Sequence, residues 1–130
     1  MTDLTTAAGA TAIVDGYLTA YGEPDRGRRD ALIAEVWSPR GRLIDPPATG
    51  EGHDGISDVA DALQQQFAGH VFRRSTGVDE HHGLLRFGWE LVAPDGSIVL
   101  TGLDVGELDD DGRLLRIAGF FGDLPAREAA

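Results

Sequence analysis

The chain of 130 residues has no cysteine and no lysine. Without cysteine there is no disulfide, no thiolate nucleophile and no cysteine-ligated zinc. Without lysine there is no Schiff-base amine and no lysine-bearing phosphate loop, so two common routes to catalysis are closed. Long apolar runs are missing as well, since no segment approaches the roughly 20 apolar residues that cross a bilayer. The opening stretch, residues 1–12, has an acid at Asp3, no basic start and no apolar run. That is not the pattern of a signal peptide, and a cytoplasmic location is expected. Positive charge is scarce: 11 basic residues face 22 acidic ones, for a net charge of -11. Such a field repels phosphate backbones and anionic headgroups, so neither nucleic acid nor a membrane surface is an expected partner. The densest arginine groups, Arg26/Arg28/Arg29 and Arg73/Arg74, are too short to reverse it.

Histidines are few and scattered. His53 and His70 stand apart, and an extended backbone at His81-His82 sends the two rings to opposite faces, so no metal site is expected. No serine sits in a Gly-x-Ser-x-Gly elbow, which argues against a hydrolase triad.

What remains is a globular mixture with 42% apolar and 25% charged residues, enough for one domain with its own core. Ala10, Ile13, Val14, Tyr17, Leu18 and Tyr21 recur at spacings of three and four, predicting a helix over 6–21 with one buried stripe that stops at Gly22 and Pro24. A second helix is predicted over 26–37, ended by Ser38-Pro39. A third spans 53–68, with Ile56, Val59, Ala60, Leu63 and Phe67 inward and Gly69 as its cap. Between the second and third, Arg42-Leu43-Ile44-Asp45 reads as a short strand closed by Pro46-Pro47, because proline cannot donate to a ladder.

After Gly69 the pattern is of strands, over 70–82, 84–93, 97–108 and 113–121. Pro94-Asp95-Gly96 and Asp109-Asp110-Asp111-Gly112 carry turn chemistry between them. Residues after about 124 form a loose tail. Helices followed by strands imply an α+β domain, with three N-terminal helices packed on a mainly antiparallel sheet that the early strand joins at its edge. Gly88, Gly102, Gly106 and Gly119 let that sheet curl strongly, and a curled sheet encloses a pocket.

Two acids are placed unlike the rest. Asp45 ends an apolar strand, and Asp104 lies between Leu103 and Val105 within another. A carboxyl group among apolar neighbours either finds a partner or is driven toward its neutral form. Simpler readings exist: a cross-strand ion pair of Asp104 with Arg86 or Arg116, a turn-forming role for Asp45, a core tyrosine at Tyr17 bonded to a backbone carbonyl. Of the aromatic residues, Trp37, Phe67, Phe72, Trp89 and Phe120 are candidate walls of the hollow.

At Leu43-Ile44-Asp45-Pro46-Pro47, Gly102-Leu103-Asp104-Val105, Asp111-Gly112-Arg113-Leu114 and Gly119-Phe120-Phe121-Gly122, the chain resembles the SnoaL-like and ketosteroid isomerase-like branch of the nuclear transport factor 2-like superfamily. The resemblance spans about residues 8–122 and implies a cone-shaped α+β fold with one internal pocket. It further implies Asp45 as general base, with Asp104 as a protonated acid and Tyr17 as the phenol that together hold an oxyanion. The tyrosine that supports this phenol from the third helix of the isomerases has no counterpart here, where Ala60 or a near neighbour stands. The implied chemistry is cofactor-free proton transfer on an apolar carbonyl compound, by an isomerase or a polyketide-type cyclase. The same fold also serves non-catalytic binding or docking modules and epoxide hydrolases. A homodimer is expected from the resemblance alone.

Overall fold

A computed structural model describes residues 7–129. The reading of residues 1–6, both the lack of a signal sequence and the helix start at Thr6, lies outside that range. Among the described residues no helix is long and apolar enough to cross a membrane.

The three helices are α1 (Ala7–Tyr21), α2 (Arg26–Val36) and α3 (Gly52–Gln66). The stripe predicted for α1 is its buried face: Ala10, Val14, Tyr17, Leu18 and Tyr21 are all inside. Asp25 starts α2 by accepting the backbone N–H of Arg28 at 2.9 Å, which satisfies one of the free donors of the first turn. The apolar pattern does not foretell that Arg29 is the most polar part of the α2 inner face, fully buried. Its Nε donates to Ser57 Oγ at 3.0 Å, its Nη1 to the Glu23 carbonyl at 2.7 Å and its Nη2 to Asp61. One planar cation thereby ties α2 to α3 and to the connection between α1 and α2. Arg29→Lys keeps the charge but not the fork, so it should lower stability by about 2 kcal/mol, read as a shifted urea midpoint.

Seven strands form one open, mixed sheet: β1 (Trp37–Ile44), β2 (Thr49–Glu51), β3 (Val71–Arg74), β4 (Asp79–His81), β5 (Leu84–Val92), β6 (Ile98–Leu108) and β7 (Leu114–Phe121). Their order is β2-β1-β7-β6-β5-β3, with β4 also on β5. Every ladder is antiparallel except that between β1 and β7, which is parallel. The helices cover one face, and Val14, Ile33, Trp37, Leu43, Phe87 and Ile117 are fully or nearly fully buried between the layers. Burying each such side chain contributes about 1.5–3 kcal/mol before the entropy of ordering is counted.

Four local expectations change. β1 begins at Trp37, four residues upstream of Gly41, and Ser38-Pro39 lies within the strand; the proline is accommodated where the pairing with β7 slips between Trp37 and Arg42. β2 has three residues and no apolar pattern, so periodicity could not reveal it. The predicted strand over 70–82 is two strands. Ser75 and Thr76 break it, bonding back to Gly88, with Ser75 N–H donating to the Gly88 carbonyl at 2.9 Å and Gly88 N–H donating to Thr76 Oγ1 at 2.8 Å. Finally, His82 is not extended: its φ of 52°, followed by Gly83 at 79°, makes the two-residue turn from β4 to β5. The rings of His81 and His82 therefore meet, with their Nδ1 atoms 3.1 Å apart, and do not point to opposite faces.

Candidate active site

The sheet topology brings two distant acids together. In the antiparallel ladder of β6 with β7, Asp104 stands opposite Gly119. In the parallel ladder of β1 with β7, Ile44 aligns with Ala118, so Asp45, the next residue, comes alongside the same glycine. Neighbouring strands are about 4.8 Å apart, and a residue without a side chain lets both flanking carboxylates lean over it. A Cβ built on Gly119 falls on Asp45 Oδ1 and lies 2.9 Å from Asp104 Oδ1.

Helix α1 supplies the phenols. Tyr17 and Tyr21, one turn apart, stack with ring centres 5.6 Å apart and point into the same hollow. Tyr17 Oη donates to Asp104 Oδ2 at 3.1 Å, and Tyr21 Oη donates to Asp45 Oδ2. A third donor, Trp89 Nε1, reaches Asp104 Oδ1 at 2.9 Å. It can do so because Trp89 pairs with Gly102 on β6, and the indole occupies the space where a side chain would stand.

Both acids are buried, Asp104 to 2% exposure and Asp45 to 8%. Burial is the main reason the Asp104 carboxyl is pushed up to about 7; the charge of Asp45 adds to this, and the bonds from Tyr17 and Trp89 oppose it. Burial also raises Asp45, against the bond from Tyr21. The phenols of Tyr17 and Tyr21 are held well above their ordinary value, first by burial and then by the acids, so both stay protonated as donors. Among the described residues no cation lines the hollow to restore both carboxylates. The two acids titrate as a pair that holds one proton near neutral pH.

A stability effect follows. The folded chain keeps a proton on Asp104 that the unfolded chain, at the ordinary value of 3.8, has released. Between about pH 4 and 7 the native state binds more protons, so stability falls as pH rises through this window, by up to about 4 kcal/mol. Asp45 acts in the same direction. Asp104→Asn is expected to flatten the fall, measured as the difference between urea midpoints below and above the window.

The hollow is a cavity of about 140 Å³. Both acids and both phenols line it; Leu63, Phe67, Phe72, Trp89 and Leu91 are among its other walls, and Pro47, Gln66 and Phe121 are its exposed members. Of the residues singled out from the sequence, Asp45, Asp104, Tyr17, Phe67, Phe72 and Trp89 line this one space. Trp37 and Phe120 do not. Trp37 is fully buried behind Tyr17, edge-on with ring centres 5.8 Å apart, against Gly41. Phe120 is 58% exposed, because residues alternate along β7 and the buried phase belongs to Ile117 and Gly119. Its neighbour Phe121 takes the wall position. The ion-pair reading of Asp104 also gives way: Arg86 pairs with Asp79 at 2.8 Å, and Arg116 is set opposite Glu107. Among the described residues no three metal-ligating side chains gather.

Sequence reasoning missed Tyr21 as a site residue, although its place on the buried stripe, four residues after Tyr17, was a usable signal. It missed Gly119 and Phe121 because their roles depend on register.

No family model matches the chain, and no curated protein does. Solved structures do. One from Agrobacterium tumefaciens C58, named for an isomerase of the SnoaL-like family, is 37% identical, with a TM-score of 0.81 over 86% of this chain and 96% of its own. One from Sinorhizobium meliloti, named for a polyketide cyclase, superposes with a TM-score of 0.67 at 18% identity, covering 88% of this chain and 99% of its own. One from Jannaschia, named for a SnoaL-like polyketide cyclase, gives 0.63 at 18% identity over 85% of each chain. The two more distant likenesses establish the fold alone. Identity above a third across nearly the whole of the Agrobacterium protein, on a shared cone of helices and curved sheet, goes further: this chain belongs to the SnoaL-like family of the nuclear transport factor 2-like superfamily.

Proposed function

We propose that the chain is a cofactor-independent acid–base enzyme that moves a proton on an apolar carbonyl compound, as an isomerase or a polyketide-type cyclase. The observation that carries this reading is the convergence of two buried carboxylates and two phenols in one largely apolar cavity, with no cation among the described residues that line it. Asp45 is the base. Its Oδ2 is held by Tyr21, which leaves Oδ1, over Gly119, to take the proton from a carbon next to the substrate carbonyl. As the C–H pair shifts onto the carbonyl oxygen, Asp104, bearing the proton the pair retains, and Tyr17 turn their O–H groups to that oxygen. Return of the proton from Asp45 to a different carbon completes an isomerisation. Attack of the enolate carbon on a second carbonyl, with that oxygen taking the proton, completes a ring closure.

Neutral donors suit this role because they gain strength as negative charge develops and add none of their own. The name of the Agrobacterium relative, an isomerase of the SnoaL-like family, supports the same chemistry. In heavy water the wild-type chain should exchange α-protons of small cyclic ketones, followed by proton NMR, and Tyr17→Phe should slow the exchange about 10²-fold. A wild-type chain that binds such ketones and exchanges nothing would be a binding module of this fold, and the enzymatic reading would be withdrawn.

A further inference from the structure

Resting on the acid–base reading, we infer that the cavity takes a compact, uncharged, enolisable carbonyl compound of about one ring, in preference to fused polycyclic or ionic substrates.

Size comes first. A cavity of about 140 Å³ is of the class that holds a benzene ring, whereas sites for drug-sized ligands run to about 300–1,000 Å³. The walls cannot recede cheaply, because their rings already pack on one another. Tyr21 meets Phe72 with centres 5.1 Å apart, Phe72 meets Trp89 at 5.6 Å, and Trp89 meets Phe121 at 5.6 Å. Moving one ring forfeits contacts with the next, and at Trp89 it also breaks the bond to Asp104. A second fused ring would have to remain outside, beyond Pro47, Gln66 and Phe121.

Charge comes second. Among the described residues the lining holds no arginine or histidine, and its ionisable groups are two acids and two phenols. An anion would be stripped of water beside two carboxylates with nothing to pair it. A cation would be attracted, but it would hold both acids ionised and remove the proton that steadies the enolate. Cations therefore inhibit and are not turned over. For a cyclase, the limit on volume also restricts the product to a single small ring.

Calorimetric titration of the full chain with cyclohexenone, naphthol, progesterone and cyclohexanecarboxylate tests both parts. Cyclohexenone is expected to bind at least about tenfold more tightly than progesterone, with no detectable binding of the carboxylate, which also carries a single six-membered ring. Phe72→Ala, which enlarges the wall without removing a donor to either acid, should bring naphthol affinity up toward that of cyclohexenone. Progesterone binding as tightly as cyclohexenone overturns the size limit, and carboxylate binding as tightly as cyclohexenone overturns the charge limit. Proton exchange on the same ligands separates this inference from the reading beneath it. Asp45-dependent exchange on progesterone defeats the inference and keeps the acid–base enzyme. Selective binding of cyclohexenone without exchange supports the cavity's selectivity and defeats the enzyme.

Discussion

Asp45→Asn is expected to slow α-proton exchange by about 10³-fold, because the amide has no basic oxygen at neutral pH while its shape and its acceptor for Tyr21 are kept. Thermal stability should hold or rise, since one of two neighbouring buried acids is gone. The same substitution has a second signature. Asp45 is the larger cause, after burial, of the raised Asp104 carboxyl, so Asp104 should become more acidic in the variant. Carbonyl-carbon NMR of Asp104 across pH reads this directly, and it separates loss of the base from general damage. Exchange retained at the wild-type rate would remove Asp45 from the mechanism.

Gly119→Ala should be nearly as severe for a different reason. The added methyl group meets both carboxylates at once, and the strand beneath is held by ladders on both sides. Overpacking at such a point costs about 1–3 kcal/mol. The acids must part to admit the methyl group, and a displacement of about an ångström in a catalytic group is worth about 10² in rate. Gly106→Ala is the control. It crowds Ile117, Leu85 and the Arg116 carbonyl on the same sheet face and should lose comparable stability, yet its folded fraction should keep the exchange rate. Equal activity loss in both variants would mean that Gly119 matters only for packing.

Much of this was legible in residue spacing. The three helices follow from apolar positions every three to four residues, and the late strands follow from the turns at Pro94-Asp95-Gly96 and Asp109–Gly112, whose backbone bonds close as such turns require. Asp104 was conspicuous as an acid between Leu103 and Val105. What could not be read was phase and partnership. Adjacent Phe120 and Phe121 leave the inward one undecided until the pairing of Asp104 with Gly119 sets the register. Tyr21 could be placed inside but not joined to Asp45, because that contact exists only after β1 lies parallel to β7. A large indole such as Trp37 suits a pocket wall, but packing puts it one layer back, in the core.

That single parallel ladder also sets when the site can exist. β1 pairs with a strand some seventy residues later, Leu43 with Ile117 and Ile44 with Ala118. Such distant closure is entropically slow. Asp104 can meet Trp89 and Tyr17 once β6 lies on β5, but Asp45 comes beside it only when β7 joins β6 to β1. The meeting of the two acids, and with it the proposed proton transfer, thus reports on closure of the β1–β7 ladder: a chain without that pairing keeps Asp45 and Asp104 apart.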